Sequence, residues 1–288
     1  MRLLTFGHGF VADALARRLA LEGWSTTATA RDADKRALLG DRGIDAVDPA
    51  DATALDEVVH GVDAVLVSAP PGERGCPGLA ALAPALGRTR AYPDWIGYLS
   101  STSVYGDLAG RWAFESSPLR GKSVQAARRT AAERDWLELG RGMGLTVAVF
   151  RLGAIYGSGR SALDRLPERT MVKPGQVFSR AHVDDIAAGL AASMVRPEPC
   201  AVYNVVDDEP SPAHEVTSYA AGLRGAPPPE LVPFDDAGLS EEARRFWHEC
   251  RRVSNARLKA ELGWRPTYPS YREGLAAIAS SSTAAASR

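Results

Sequence analysis

Short apolar runs alternate along the first half of the chain with segments whose apolar residues recur every three or four positions. The runs "RLLTF" (2–6), "STTATA" (25–30), "DAVLVSA" (63–69), "WIGYLSS" (95–101) and "LTVAVFRLG" (145–153) read as buried strands. Between them, 11–23, 32–43, 51–61, 76–87 and 124–140 carry the helical period. The second of these ends at a glycine suited to a C-cap, and Asp51 is placed to cap the third. Pro77 and Pro84 weaken the pattern at 76–87. Strands alternating with helices of this length predict parallel βαβ units and hence an α/β, Rossmann-type, doubly wound sheet.

The pattern loosens after residue 156. The segment 157–180 is rich in Gly, Pro and charge, which suits a loop or cap over a ligand crevice. A helix over 184–195 and a strand over 201–206 follow, then a proline-rich extended stretch at 226–236 and short helices at 239–249 and 254–263. The expected organisation is a dinucleotide-binding domain over 1–156, to which 183–206 returns. A smaller C-terminal substrate subdomain is expected from 157–182 and 207–278. Residues 279–288, which lack core-forming side chains, are expected to fray.

Composition narrows the function classes. Of 288 residues, 45% are hydrophobic and 24% charged, and the formal net charge is −1, without a Lys/Arg run. Such a balance argues against a nucleic-acid or membrane partner. No segment has the length and apolarity of a membrane span, and "MRLLTF" lacks the h-region of a signal peptide. Cys76, Cys200 and Cys250 are far apart, so free thiols in a reducing cytoplasm are expected and a metal site is not.

The first strand runs into "TFGHGFVADAL", a G-x-G-x-x-A formed by Gly7, Gly9 and Ala12. Gly7 permits a tight turn, Gly9 admits a pyrophosphate close to the backbone, and Ala12 lets helix and strand pack closely. The helix N-terminus adds N–H donors and partial positive charge. Gly7, His8, Gly9, Phe10, Val11 and Ala12, with Ser68 and Ala69 at the end of a later strand, are the expected cofactor contacts. Arg31, ending the second strand, favours the 2′-phosphate of NADP over the free ribose hydroxyl of NAD. The plainer alternative for Arg31 is a solvated surface charge beside Asp32.

The stretches "GHGFVADAL", "YLSSTSVYGD", "FRLGAIYGSG", "KPGQVFSRAHVDDIA", "AVYNVVDDEP" and "RRVSNARLKAELGWRPTYP" occur in the order found in the extended short-chain dehydrogenase/reductases. The chain resembles that superfamily over nearly its whole length, and most of all an atypical, NAD-dependent epimerase/dehydratase-like branch. The resemblance implies a catalytic hydroxyl at Ser101, then a Tyr-x-x-x-Lys pair on the next helix, with the lysine lowering the tyrosine's pKa and binding the nicotinamide ribose. Continuing the family's register through Glu133 puts Arg129 at the lysine position and Gln125 at the tyrosine position. Arg129 keeps the charge and can bind ribose, whereas Gln125 has no proton to exchange.

Three residues are candidate substitutes for the acid: Tyr105 in "SVYGD", Tyr156 in "AIYGSG" and His182 in "SRAHVDD". Each has a plainer reading as a packing residue. Lys173 and Arg180 flank the expected cap and are candidate contacts to an anionic substrate, or solvated charges. The leading reading is an NAD(P)-dependent oxidoreductase or epimerase/dehydratase acting on a small polar, sugar-like or anionic molecule, as a monomer or homodimer. The competing readings are a non-catalytic NADP(H) sensor and a non-redox lyase or isomerase on the same fold.

Overall fold

The computed structural model describes residues 1–236, 238 and 240–286. Strands β1 (Arg2–Phe6), β2 (Ser25–Thr29), β3 (Asp45–Val47), β4 (Ala64–Val67) and β5 (Trp95–Ser101) alternate with helices α1 (Phe10–Ala20), α2 (Ala33–Gly40), α3 (Ala52–Val59) and α4 (Pro77–Thr89). A two-residue strand β6 (Trp112–Ala113) and the long α5 (Val124–Met143) lead to β7 (Val147–Leu152) and β8 (Ala154–Tyr156). Strands β9 (Arg169–Val172) and β10 (Arg180–His182), helix α6 (Val183–Val195) and strand β11 (Ala201–Val205) follow. The chain closes with α7 (Ala213–Leu223), β12 (Glu230–Pro233), α8 (Glu241–His248), β13 (Arg252–Val253), α9 (Ala256–Leu262) and α10 (Tyr271–Ala286).

Seven strands build one parallel sheet in the order β3-β2-β1-β4-β5-β7-β11. Successive side chains of each strand bury on opposite faces. Leu3, Leu66, Trp95, Phe150 and Tyr203 pack against α1 and α6. Leu4, Val65, Ile96, Tyr98 and Val149 pack on the other face, against Leu55, Leu82 and Trp136 from α3, α4 and α5. Both faces are therefore covered, as near-continuous apolar strands require. The sheet is the doubly wound Rossmann type that the alternation predicted.

Some local expectations needed correction. β3, only three residues and half-exposed, was not read from the sequence, since so short a run carries no period. α4 forms in full: Pro77 occupies its first turn, where no N–H is missed, and Pro84 is tolerated inside it. The C-terminal segment continues α10 to Ala286 in place of the frayed end expected from 279. The helix is anchored by buried Leu275 and Ile278, and the hydroxyls of Ser280 and Ser281 bond back to its own carbonyls. Ser287 and Arg288, and Leu239 at the start of the helix expected over 239–249, lie outside the described residues.

Beyond β7 the chain builds small parallel pairs, β8 with β10 and β9 with β12. Tyr156, Leu163, Val216, Tyr271, Leu275 and Ile278 form a separate apolar cluster there. The sheet, α5 and the loop after β5 are joined by a buried polar network. Arg151 on β7 binds both carboxylate oxygens of Glu133 on α5, through Nε at 3.1 Å and Nη2 at 2.7 Å. The Ser100 hydroxyl donates to Glu133 Oε1 at 2.5 Å. Arg151 Nη1 donates to the Tyr105 hydroxyl, which donates in turn to Asn204 Oδ1 at 2.6 Å. Every member is buried.

Breaking a buried, hydrogen-bonded ion pair by removing one partner strands the other charge and costs about 3–5 kcal/mol. Glu133→Ala is expected to lower the unfolding free energy by that order in urea denaturation, and Arg151→Met with Glu133→Leu together by much less. Equal losses in the single and double variants would contradict the reading.

Candidate dinucleotide and substrate crevice

The chain order reverses between β1 and β4, the position where open α/β sheets leave a crevice at their carboxyl ends. A cavity of about 1090 Å³ lies there, lined by Gly7, His8 and Gly9 from the glycine turn, Thr29 to Asp32 from the end of β2, and Ser68 to Pro70 from the end of β4. Gly7 has φ +80°, and a Cβ on it would press against Ala69 at 3.2 Å, so glycine is required on both counts. Its amide donates to Thr29 Oγ1 at 3.0 Å and its carbonyl accepts from Ser68 Oγ at 2.6 Å, fixing the turn to two neighbouring strands. Gly9 caps α1 without any side-chain bond, and a Cβ there would meet nothing within 4 Å. The first turn of α1 thus presents uncapped N–H groups to open space. An extended, diphosphate-bearing ligand fits these features. Ala12 does not line the cavity; it is fully buried, where its small side chain lets α1 pack on the sheet.

Arg31 is exposed on the rim of this cavity, with Lys35 beside it. The adjacent Asp32 carboxylate is occupied in capping α2, accepting the Lys35 amide at 2.8 Å. His8 is buried, with Nδ1 at 3.0 Å from Thr5 Oγ1 and Nε2 without a hydrogen-bond partner. Burial holds its pKa below the usual histidine value against the opposing pull of Asp13, so it sits neutral in the turn.

A second, smaller cavity of about 230 Å³ adjoins the first through the shared residues Gly9 and Ser68. Phe10, Val11, Ser101, Arg129 and Arg160 also line it. Arg129 Nη1 donates to the Leu99 carbonyl at 2.9 Å, which fixes its positive charge at the cavity wall. Ser101 Oγ accepts the Ser103 amide at 3.1 Å, leaving its own proton available to a ligand acceptor.

Gln125 is one turn before Arg129 but exposed; it lines neither cavity and makes no side-chain hydrogen bond among the described residues. The expected pair therefore does not act as a unit here: the arginine reaches the crevice and the glutamine, in the first turn of α5, does not. Tyr105 is also corrected. It is fully buried, bonded to Asn204 and Arg151, and raised above its usual pKa by burial, so it is a network member rather than an acid. His182 caps α6, accepting the Asp184 amide at its Nδ1, and stays neutral through burial. Lys173 is turned to the Trp247 carbonyl and the Phe234 ring. Among the described residues no group of three or more His, Cys, Asp or Glu could hold a metal, and no helix is long and apolar enough to cross a membrane.

Tyr156 and Arg180 border a third cavity, of about 360 Å³, inside the cap. Two residues, one on this cavity's wall and one off it, were not singled out from the sequence. Arg160, in the loop after "AIYG", lines both this cavity and the one at Ser101. Asp207, in "NVVDDEP", is 3% exposed with both carboxylate oxygens unpartnered. A lone Arg or Asp in a loop gives no period or spacing from which to infer such placement.

No protein-family model matches the chain. The 3-diazoavenalumate denitrifying reductase of a Streptomyces species is 36% identical over 141 residues, a match that spans 44% of this chain and 45% of the reductase. A functionally unknown conserved protein from Silicibacter pomeroyi DSS is 45% identical, with a TM-score of 0.89 over 98% of this chain and 99% of that one. The chain belongs to the family of the Silicibacter protein. That family has the fold of the extended short-chain dehydrogenase/reductases. The dTDP-glucose 4,6-dehydratase of Bacillus anthracis str. Ames, solved with NAD, shares the fold at 17% identity and a TM-score of 0.79 over 99% of this chain and 97% of that one. The UDP-glucose 4-epimerase of Thermus thermophilus, also solved with NAD, shares it at 23% identity and a TM-score of 0.76 over 97% of this chain and 98% of that one.

Two outcomes test the site. Gly9→Val adds a side chain to open space at an ordinary backbone conformation, so the unfolding midpoint should hold while dinucleotide affinity falls at least about tenfold, as a blocked pyrophosphate path requires. Unchanged affinity by calorimetry would show that the turn binds nothing.

The second outcome concerns Asp207. Burial, opposed by the Arg180 charge, pushes its pKa up to about 8, far above the carboxylate range. The unfolded chain loses this proton near pH 4 and the folded chain keeps it until near pH 8. Its contribution to stability therefore falls as pH rises across that window. Asp207→Asn should gain stability relative to the parent protein between pH 5 and pH 8 in denaturant titrations; parallel curves would contradict the assignment.

Proposed function

We propose that the protein is an NADP(H)-dependent oxidoreductase acting on a small molecule without a tyrosine acid. The observation that carries this reading is the adjacency of the two crevices. Gly9 and Ser68 wall both, so the two lie side by side from Arg31, past the N-terminus of α1, to Ser101 and Arg129. Their combined length and donor pattern suit an extended dinucleotide, with Gly7 and Gly9 at the pyrophosphate and Arg129 at the far ribose. When bound, the dinucleotide supplies the hydride-donating or hydride-accepting ring.

The NADP preference rests on Arg31 and Lys35, two cations on the rim whose neighbouring carboxylate, Asp32, is engaged in a helix cap. In NAD-type sites a free acidic residue binds the ribose 2′-hydroxyl at this end of the second strand.

At the other end, the chain's residues do electrostatic work. Ser101 offers a proton for a hydrogen bond to a substrate oxygen or nitrogen, and Arg129 holds a fixed positive charge beside it. No residue lining this crevice has a side chain that exchanges a proton near pH 7. Reactions whose proton comes from solvent, or is not needed in the rate-limiting step, are therefore favoured over carbonyl reduction of the ordinary kind. That the partial relative from Streptomyces is named a denitrifying reductase favours reduction over epimerisation.

Calorimetric titration with NADPH and NADH tests the reading. NADPH should bind more tightly, and Arg31→Ala should cost it about 1.5–3 kcal/mol, the worth of a hydrogen bond to a charged group. Equal affinities for the two cofactors would remove the preference, and binding of neither would remove the function. A sensor protein would bind NADPH with the same residues but never oxidise it, so NADPH consumption with electrophilic acceptors separates the two.

A further inference from the structure

Inside the cap, the 360 Å³ cavity has mostly apolar walls: Ile155, Val216, Leu275 and the rings of Tyr156 and Tyr271. Arg180 interrupts them. Its Nη1 donates to the Phe178 and Ser211 carbonyls at 2.9 and 2.8 Å, and its guanidinium lies 5.8 Å from the Phe178 ring. These contacts fix the side chain's orientation, and among the described residues no carboxylate forms an ion pair with it, although Asp207 is near enough to act on it electrostatically. A part-buried guanidinium without a counter-ion is costly unless a ligand supplies one.

Arg160 stands where this cavity meets the crevice at Ser101, since it lines both. Its guanidinium is stacked 5.7 Å from the Phe10 ring and has no hydrogen-bond acceptor or ion pair among the described residues. The one carboxylate on the cavity wall, Asp164, is held by the Ser161 amide at 2.6 Å and the Ser161 hydroxyl at 2.7 Å. On the cavity wall two guanidinium groups face one committed carboxylate, an excess of one positive charge; Asp207, off the wall but close enough to act on Arg180, is kept largely protonated by burial. That excess, in a cavity with aromatic walls, matches a monoanion with a planar apolar body better than a diphosphate.

We propose that the cap cavity between Tyr156, Arg180 and Tyr271 is the anion subsite of the substrate, and that the substrate is a small aromatic monocarboxylate. Arg180 receives the carboxylate, and Arg160, on the wall shared with the crevice at Ser101, adds the second positive charge that favours the anion. The inference names the substrate class of the oxidoreductase reading and rests on it for the reacting end. The anion subsite itself rests only on the cap. Burial also lowers the Arg180 pKa and raises that of Asp207, in keeping with a cation whose nearest acid does not neutralise it.

Calorimetry with trans-cinnamate, its uncharged amide and UDP tests the subsite directly. Cinnamate should bind the wild-type protein at least about tenfold more tightly than cinnamamide, the factor expected for a charge-assisted hydrogen bond. Arg180→Gln and Arg160→Gln should each weaken cinnamate by about tenfold and leave cinnamamide unchanged, and Arg180→Gln should leave NADPH affinity unchanged. If Arg180→Gln does not fold, the comparison of acid with amide and the exposed Arg160→Gln variant still decide. Equal binding of acid and amide, no binding of cinnamate, or UDP binding tighter than cinnamate and lost in Arg180→Gln would each overturn the proposal. Cinnamate binding with the expected arginine dependence, but no NADPH binding, would support the subsite and remove the oxidoreductase reading alone.

Discussion

The ion pair of Arg151 with Glu133 is the constraint on which the site's geometry depends. It ties β7 to α5 in the interior, and its outer bonds reach Ser100 on β5, Tyr105 after β5 and, through Tyr105, Asn204 on β11. Arg151 Nη1 also holds the Glu115 carbonyl, and Glu115 in turn accepts the Asn204 amide. These elements carry the residues of the smaller crevice. Ser101 follows Ser100 directly, and Arg129 lies one helical turn before Glu133 on α5. A network this buried is stabilising only when every member is satisfied, which makes the placement of Ser101 and Arg129 a cooperative property of five segments.

The same network explains why Tyr105 cannot take over from the missing acid. Its hydroxyl both donates and accepts inside the protein, at a site with no solvent exposure. The crevice is thus left with fixed charge and a serine hydroxyl, a combination that can orient and stabilise but not transfer a proton at neutral pH. The cap cavity adds Arg160 and Arg180, neither with an ion-pair partner among the described residues, so positive charge lines both the crevice at Ser101 and the cap cavity.

Much of this was legible in the sequence where chemistry is local. The strand–glycine–helix turn at Gly7 and Gly9 specifies its own conformation, and alternating apolar runs gave the sheet, because a strand buried on both faces has a distinctive composition. Arg31 was placed by its position at a strand end, and Ser101 by the register of the family it resembles. What the sequence did not reveal depends on long-range packing. Gln125 aligned with a catalytic tyrosine by spacing along α5, yet spacing fixes only the helix face, and whether a first-turn residue reaches the crevice depends on where the helix begins. Tyr105 sits in a motif shared with active-site loops, but its burial is decided by Arg151 and Asn204, 46 and 99 residues away. Arg160 and Asp207 belong to loops whose neighbours are set by the cap, and no periodicity marks them.

The most direct test of the account is a crystal structure of the protein grown with NADPH. The account predicts the pyrophosphate at the N-terminus of α1 over Gly9, the 2′-phosphate beside Arg31 and Lys35, and the nicotinamide in the crevice between Ser101 and Arg129, with Gln125 out of contact. A dinucleotide bound elsewhere, or one in the crevices with its ring held by Gln125 and turned away from Ser101, would contradict it.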